Sequence, residues 1–213
     1  MKYGFCILLY LSLCFSFAFG QQENSDSTDY IIYSKVLEEF LSEVDTVSSQ
    51  FIFEQKTSLD KYFIYDIETS KDSLETYLKI IPYIDFFTIK DNDAVLEETT
   101  KELLLKLISI NKTPQKIEVD KFHFQNYTGK IISESKHKRI FKKKYRWERF
   151  YQEYPNAFGL LSVSKIAYLS DKKEAMFYFD YIKGGLNGAG YVVWLDLDNG
   201  KVVVKKIIRV WVS

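Results

Sequence analysis

Residues that bind metal ions or do thiol chemistry are scarce in this sequence. Two of its 213 residues are cysteine and two are histidine. Both cysteines, Cys6 and Cys14, fall inside an apolar N-terminal segment, so the chain beyond that segment has no thiol nucleophile and forms no disulfide. Two histidines are too few for a multi-histidine metal centre. We therefore expect neither a metal nor another cofactor, and stability that comes from side-chain burial alone.

An excess of charge of either sign is also missing. Lysine and arginine together number 29, as do aspartate and glutamate, so the formal net charge is zero. This balance disfavours general binding to nucleic acids. Because 46% of the residues are hydrophobic and 17% are aromatic, the chain can bury a core and is not expected to be disordered. We therefore expect a folded protein. Its partner is unknown, and a second protein and an anionic ligand are the candidate partners.

The N-terminal segment has the pattern of an export signal. Lys2 precedes an apolar run over residues 5–19, and Ala18-Phe19-Gly20 puts small residues at the two positions that signal peptidase reads. This pattern predicts a signal peptide over residues 1–20, cleavage after Gly20, and a periplasmic or secreted protein. Contact with a membrane is then expected only through the signal sequence.

Two alternatives to cleavage stay open, an uncleaved membrane anchor and a lipid attached to Cys14. The apolar run over residues 5–19 is shorter than the stretch of about 20 residues that spans a bilayer. Leu13 precedes Cys14, at a position where lipidation favours a small residue. Both features favour cleavage.

The residues after the signal predict a short tail and one domain, whose first part is rich in helices and whose second part is a sheet. Residues 21–29 read QQENSDSTD and predict a flexible tail. The domain then covers residues 30–213, with a helix-rich part over 30–154 and an antiparallel sheet over 160–213. The change comes where the apolar period switches from that of a helix to that of a strand.

Individual elements follow from the same periodicity. Helices are expected at 30–44 and 93–110, and short strands at 51–53 and 130–132. The C-terminal strand candidates are 160–169, 174–182, 190–197 and 202–212. Together these elements predict the α+β class, with an antiparallel C-terminal sheet of about four strands and helices packed on one face.

The last two strand candidates are joined by Asn199-Gly200, the preferred sequence of a type I′ hairpin turn. Such a turn pairs Asp198 with Lys201 and sets the register of both strands. One side of the hairpin is then apolar, apart from Lys206 opposite Val193. That side is expected to face the core.

A basic segment covers residues 137–151, where eight basic residues, counting the histidine, alternate with aromatic ones. It could bind an anionic membrane, a polysaccharide or nucleic acid. On a helix, however, Ile140, Trp147, Tyr151 and Tyr154 follow one stripe, as a buried face does. We favour a buried stripe with the lysines in solvent, and the binding interpretation stays open.

Glycine is concentrated in one loop of the C-terminal sheet, which reads KGGLNGAG from residue 183 to residue 190. So many glycines cost conformational entropy, which indicates either positive-φ positions or close approach of the backbone to another group. One interpretation is a wide structural turn. The other is a binding lip whose N–H groups receive an anionic group. The candidate ligand-binding residues are Lys183, Gly184, Gly185, Asn187 and Gly188.

No motif points to catalysis. The sequence has no nucleophile elbow, no zincin motif and no phosphate-binding loop. The carboxylate pairs Asp91/Asp93 and Glu97-Glu98 fall on or beside a predicted helix, where acids serve as caps and solvated charge. We assign no catalytic or metal-binding residue and favour a non-catalytic protein that binds a ligand or a partner. The alternative is a hydrolase of an envelope or extracellular substrate, with two carboxylates as acid and base.

Four segments carry a resemblance to other proteins: WERFY at 147–151, Tyr154-Pro155, GLLSVSK at 159–165 and the ending Trp211-Val212-Ser213. They resemble a family of exported bacterial proteins with no assigned activity, which share a Trp-Glu-x-Phe-Tyr helix, a Gly-rich hairpin and a Trp-Ile-Ser-like ending. The resemblance implies a cell-envelope setting and no particular activity. Family members often carry two cysteines in the glycine loop, where this chain has Lys and Asn, so a disulfide implied by the family is absent here.

Overall fold

The computed structural model describes residues 27–44, 47–61, 63–64, 98–142, 145–198 and 201–213. Several predictions fall outside these residues: the signal peptide with its cleavage site at Gly20, most of the tail, the turn at Asn199-Gly200 and the pair Asp91/Asp93. Residues 27–29, at the end of the predicted tail, already belong to the first helix.

The described elements begin with helices and short strands and end with long strands. They are helix α1 over residues 27–44, strand β1 (Gln50–Phe53), helix α2 (Glu98–Asn111), a 3₁₀ turn (Val119–Lys121), β2 (Thr128–Ile131), α3 (Glu134–Phe141), α4 (Arg146–Glu153), β3 (Ala157–Val163), β4 (Ala167–Tyr168), β5 (Glu174–Gly184), β6 (Asn187–Asp198) and β7 (Lys201–Val212). Helices and strands together confirm the α+β class.

The described strands form one seven-stranded sheet in the order β2-β1-β3-β5-β6-β7, with β4 paired to β5. Pairing is antiparallel from β3 to β7, as expected, but β1 lies parallel to both β2 and β3. The sequence therefore predicted too few strands, about four where the sheet has seven, and it did not predict the parallel pairing of β1. The two parallel neighbours come from the helix-rich part of the sequence, and only a crossover through the intervening helices brings them to β3.

Helices cover both faces of the sheet, so the expectation of helices on one face was wrong. We call the face that carries Phe177, Phe179 and Val193 the first face, and it packs against α1. The opposite, second face carries Met176 and Tyr178 and packs against α2. The sequence signal was the unbroken apolar run AMFYF in β5, because a strand buried on both faces has no alternating polar side.

The register of the last hairpin is as predicted near its turn, with Asp198 opposite Lys201. It shifts by one residue between Trp194 and Leu195, where a bulge leaves Lys206 opposite Trp194 and not opposite Val193. The extra residue moves the side chains of residues 206–209 to the other side of the strand, and a second shift, between Gly190 and Tyr191, restores the expected sides for Trp211 and Val212. The bulge thereby removes Lys206 from the core side and puts Ile207 opposite Val193.

Helix α1 attaches to the first face through buried rings and hydrogen bonds. The Tyr33 ring lies edge-on to Phe177, with 5.3 Å between the ring centres, and the Tyr33 hydroxyl donates to the backbone oxygen of Ser164 at 2.6 Å. At the next turns, the Glu38 carboxylate accepts hydrogen bonds from the backbone N–H groups of Gln125 and Asn126. These contacts tie the helix both to the sheet and to the loop before β2.

The basic segment forms α3 and α4, which break at Tyr145 with φ 64°. Ile140 and Tyr154 of the predicted stripe are buried against the second face, Tyr151 is half-buried there, and Phe150, which the stripe did not include, is fully buried. The segment therefore packs one side on the core, as expected, but the stripe was only partly correct. Trp147 packs against the same cluster and is half-buried. Whether the exposed basic side chains bind a partner stays a prediction.

Candidate functional site

The glycine loop is a tight hairpin, so its interpretation as a wide structural turn was wrong. Strand β5 ends at Gly184 and β6 begins at its pairing partner Asn187, so the connection is the two residues Gly185-Leu186. Among the described glycines, Gly159 alone has positive φ. Positive φ therefore does not explain the glycines of the hairpin.

Close approach of another group explains two of these glycines. A Cβ atom on Gly190 would lie 2.6 Å from Cδ1 of Trp211, and one on Gly188 would lie 2.9 Å from the carbonyl oxygen of Tyr181. A Cβ atom on Gly185 would meet no atom within 4 Å. The indole of Trp211, from the neighbouring strand β7, thus occupies the space that side chains on β6 would fill.

Trp211 also starts a hydrogen-bonded chain across the second face. Its indole N–H donates to the Tyr178 hydroxyl at 2.7 Å, and that hydroxyl donates to the Asp180 carboxylate at 2.8 Å. The pKa of Asp180 is raised to about 7, chiefly by burial and further by the nearby carboxyls of Glu54 and Asp60. The hydrogen bonds from Tyr178 and Ser162 oppose this shift. The hairpin is therefore joined to a carboxyl group in the middle of the sheet.

Lys183, the charged member of the predicted site, lies against aromatic rings. Its ammonium group is 3.8 Å from the ring centre of Phe158 and 5.9 Å from that of Tyr181, which is a cation–π arrangement. Its carbonyl oxygen accepts a hydrogen bond from the Tyr151 hydroxyl at 3.1 Å. Lys183 thus connects the hairpin to β3 and α4.

A pocket of about 250 Å³ lies on the first face, between the hairpin, the end of α1 and the end of β7. We call it the hairpin pocket. Tyr181 and Tyr191 supply stacked rings with 6.2 Å between their centres, and Phe40 lies 4.8 Å from Tyr191. The guanidinium-bearing Arg209 and the amide-bearing Asn187 also line it. Rings beside such donors suit a ligand with an apolar part and an acceptor group.

The structure brings two of the five predicted ligand-binding residues into this pocket, Asn187 and Gly188. Lys183, Gly184 and Gly185 are not among its lining residues within the described chain, and Gly185 is exposed at the turn. Ligand binding by all five stays a prediction. Sequence reasoning missed Phe40 and Arg209, because they come to the hairpin from α1 and β7 only after the sheet has formed.

A second depression, of about 300 Å³, lies where the chain leaves β1 and passes α3. We call it the Glu54 cleft. Its charged and titratable lining residues are Glu54, Lys56, Glu134, His137 and Lys138, the last of which is exposed to solvent. Burial raises the pKa of Glu54, and the Coulomb attraction of His137 opposes this shift. The Nε2 atom of His137 is 3.8 Å from the Glu54 carboxylate.

Glu54 and Asp180 lie in one row across the second face. The Glu54 N–H donates to the carbonyl oxygen of Leu161, and the next residue on β3, Ser162, pairs with Asp180 on β5. Two strand spacings separate the two acidic residues, or about 10 Å between Cα atoms. Sequence reasoning missed both, although Asp180 ends the apolar run of β5 on the side of Met176 and Tyr178.

Within the described residues, no helix is long and apolar enough to cross a bilayer. The same residues contain no group of three or more His, Cys, Asp or Glu side chains arranged to hold a metal ion.

Comparison with models of known protein families, with curated proteins and with solved structures gives no match to this chain. The resemblance to exported bacterial proteins therefore stays a prediction.

Proposed function

We propose that the protein is an exported, non-catalytic binding protein whose ligand enters the hairpin pocket. Export rests on the signal pattern of residues 1–20 and on the resemblance to envelope proteins. Binding rests on one observation, that Asn187 and Gly188 of the sequence-predicted site line a pocket together with stacked aromatic rings and Arg209.

The lining residues define the chemistry of the ligand. Arg209 carries a planar fork of donors that matches a carboxylate or a phosphate, while Phe40, Tyr181 and Tyr191 offer apolar contact. Glu43 also lines the pocket, so an anionic group is expected on the Arg209 side, away from this carboxylate. A volume of about 250 Å³ corresponds to about eight water molecules at about 30 Å³ each. The pocket therefore fits a small anionic amphiphile, or one protruding group of a larger partner.

Exposed apolar side chains surround the mouth of the hairpin pocket and enlarge the surface that a ligand could contact. Val44 and Val212 line it and are 43% and 62% exposed, and Leu186, next to Asn187 at the hairpin tip, is 88% exposed. Exposed apolar side chains gathered around a pocket are typical of a binding surface. They extend the area that an aliphatic ligand or a protein partner would cover.

The test uses three probes of equal length that differ in charge: hexanoate, hexanol and hexylammonium. We expect hexanoate to shift the backbone amide NMR signals of Gly188, Ala189 and Tyr191 at lower concentration than the other two. Arg209→Gln should weaken hexanoate binding about tenfold, the loss typical of one charged hydrogen bond. The exposed Arg146 supplies the control, and Arg146→Gln should leave affinity unchanged. Equal binding of all three probes would contradict an anionic ligand.

A second candidate function is the hydrolase, favoured by the row that contains Glu54 and Asp180. A general acid needs a carboxyl whose pKa lies near the working pH, and burial shifts both carboxyls in that direction. Incubation with purified peptidoglycan and envelope polysaccharides tests this candidate. Hydrolysis should be lost in both Glu54→Gln and Asp180→Asn, and hydrolysis that survives in either variant excludes the pair as acid and base.

A further inference from the structure

The Glu54 carboxyl is half-buried without a hydrogen-bond donor. Its side chain is 38% exposed, and none of the described residues donates a hydrogen bond to it. The Nε2 atom of His137, at 3.8 Å, is beyond hydrogen-bonding distance. A carboxylate in this position has lost part of its hydration and has not replaced it, which is unfavourable unless a partner arrives.

The other carboxylate of the cleft has its own partner. Glu134 accepts from the ammonium group of Lys56 at 2.9 Å, and its backbone N–H donates to the Gln55 side chain at 3.2 Å. Its pKa is lowered, chiefly by the hydrogen bond from Lys56. Of the two carboxylates, Glu54 alone is left to receive a donor from the cleft.

We propose that the Glu54 cleft is a second binding site, which takes a ligand bearing a primary ammonium group onto the Glu54 carboxylate. An ammonium group is compact and carries three donors, so it can supply the missing hydrogen bonds and the opposite charge together. The cleft of about 300 Å³ leaves room for the carbon chain that bears it.

This site is independent of the hairpin pocket. The hairpin pocket lies on the first face with a guanidinium in its lining, whereas Glu54 lies beyond β1 on the second face. Failure of one proposal leaves the other unaffected.

Butylammonium, butanol and butanoate at pH 8 are the probes, followed through the backbone amide NMR signals of Glu54, Lys56 and His137. We expect butylammonium to shift these signals with an affinity in the millimolar range, as suits one ion pair to a ligand of few atoms. Glu54→Gln should weaken it about tenfold or more. This variant removes a charge that burial disfavours, so it is expected to fold.

Two further variants separate the carboxylate from its surroundings. His137→Gln removes the competing imidazole and should leave butylammonium binding unchanged or tighter. Glu118→Gln, an exposed carboxyl paired with Lys121 away from the cleft, should have no effect. Unchanged binding in Glu54→Gln, stronger binding of butanoate than of butylammonium, or no shift at all in the unaltered protein would each overturn the proposal.

Discussion

The two faces of the sheet are built differently. On the first face, one continuous cluster joins α1 to five strands, β1, β3, β5, β6 and β7, largely through aromatic rings such as Phe51, Phe177, Phe179 and Tyr191. On the second face, the apolar residues form two separate clusters, one under α2 and one under α3 and α4. The row with Glu54 and Asp180 belongs to neither. The comparison indicates that the first face carries more of the stability, while the second face carries groups that can ionise.

The largest effect is expected from a ring on the first face. Phe177 is fully buried and contacts Tyr33 of α1, so Phe177→Ala should lower the free energy of unfolding by about 3–5 kcal/mol. Met176, its neighbour on the second face, is equally buried but adjustable in shape. A urea denaturation series should show a smaller loss for Met176→Ala. The reverse order would contradict the difference between the faces.

A smaller loss is expected where Trp211 covers β6. Gly190→Ala would place a methyl carbon 2.6 Å from Cδ1 of Trp211, so the indole must move. We expect this displacement to lower the free energy of unfolding by about 1–3 kcal/mol. Gly185→Ala is the matched control, because its site is open and its φ is not positive. That variant should be neutral or slightly stabilising. Equal midpoints of thermal unfolding for both variants would show that Trp211 is not held against the glycines.

Removal of the Tyr178 hydroxyl tests the hydrogen-bonded chain of the second face. Tyr178→Phe leaves the Trp211 N–H without its acceptor and removes one of the two donors to the Asp180 carboxyl, the other being Ser162, so a loss of about 1–2 kcal/mol is expected. Tyr33→Phe on the first face removes one hydrogen bond to a backbone oxygen and should cost less. Chemical denaturation followed by tryptophan fluorescence measures the free energy of unfolding of both variants. A larger loss of stability in Tyr33→Phe than in Tyr178→Phe would contradict the hydrogen-bonded chain from Trp211 to Asp180.

The last expected effect is a slope of the free energy of unfolding with pH. Because burial raises the pKa of folded Asp180 from 3.8 to about 7, the folded state binds this proton more tightly than the unfolded state does. The contribution of Asp180 to stability should therefore fall as pH rises from about 4 to about 7, by at most about 1.4 kcal/mol per pH unit. Asp180→Asn should remove this part of the slope. Identical slopes in the two proteins would exclude a protonated Asp180.

Local sequence patterns were enough to predict the pairing near the hairpin turn and the side of the basic segment that packs on the core. The helical spacing of Trp147, Tyr151 and Tyr154 marks the side of α4 that packs on the sheet, and the turn sequence sets the pairing of Asp198 with Lys201, because both depend on residues close in the chain. The bulge near Lys206 was not predicted, although a lysine on an apolar side already indicated a conflict. Its resolution depends on what packs against each side of the strand.

The candidate sites depend on contacts between distant parts of the chain. Asn187 and Gly188 could be singled out from composition, but Phe40 and Arg209 reach them from elements far away in sequence. Glu54 and Asp180 are each an ordinary acid in the sequence, and they share a row only because β1 and β5 lie on either side of β3.

By itself, the sequence determined the α+β class, the hairpin pairing next to Asp198 and the side of the basic segment that packs on the core, since each follows from periodicity and turn chemistry within a few residues. The tertiary structure alone decided that β1 and β2 join the sheet, that helices cover both of its faces and that Trp211 fills the space above Gly190. It also decided the ionisation of Asp180. Burial and the nearness of other charges change a carboxyl's pKa, and both are properties of the packed molecule.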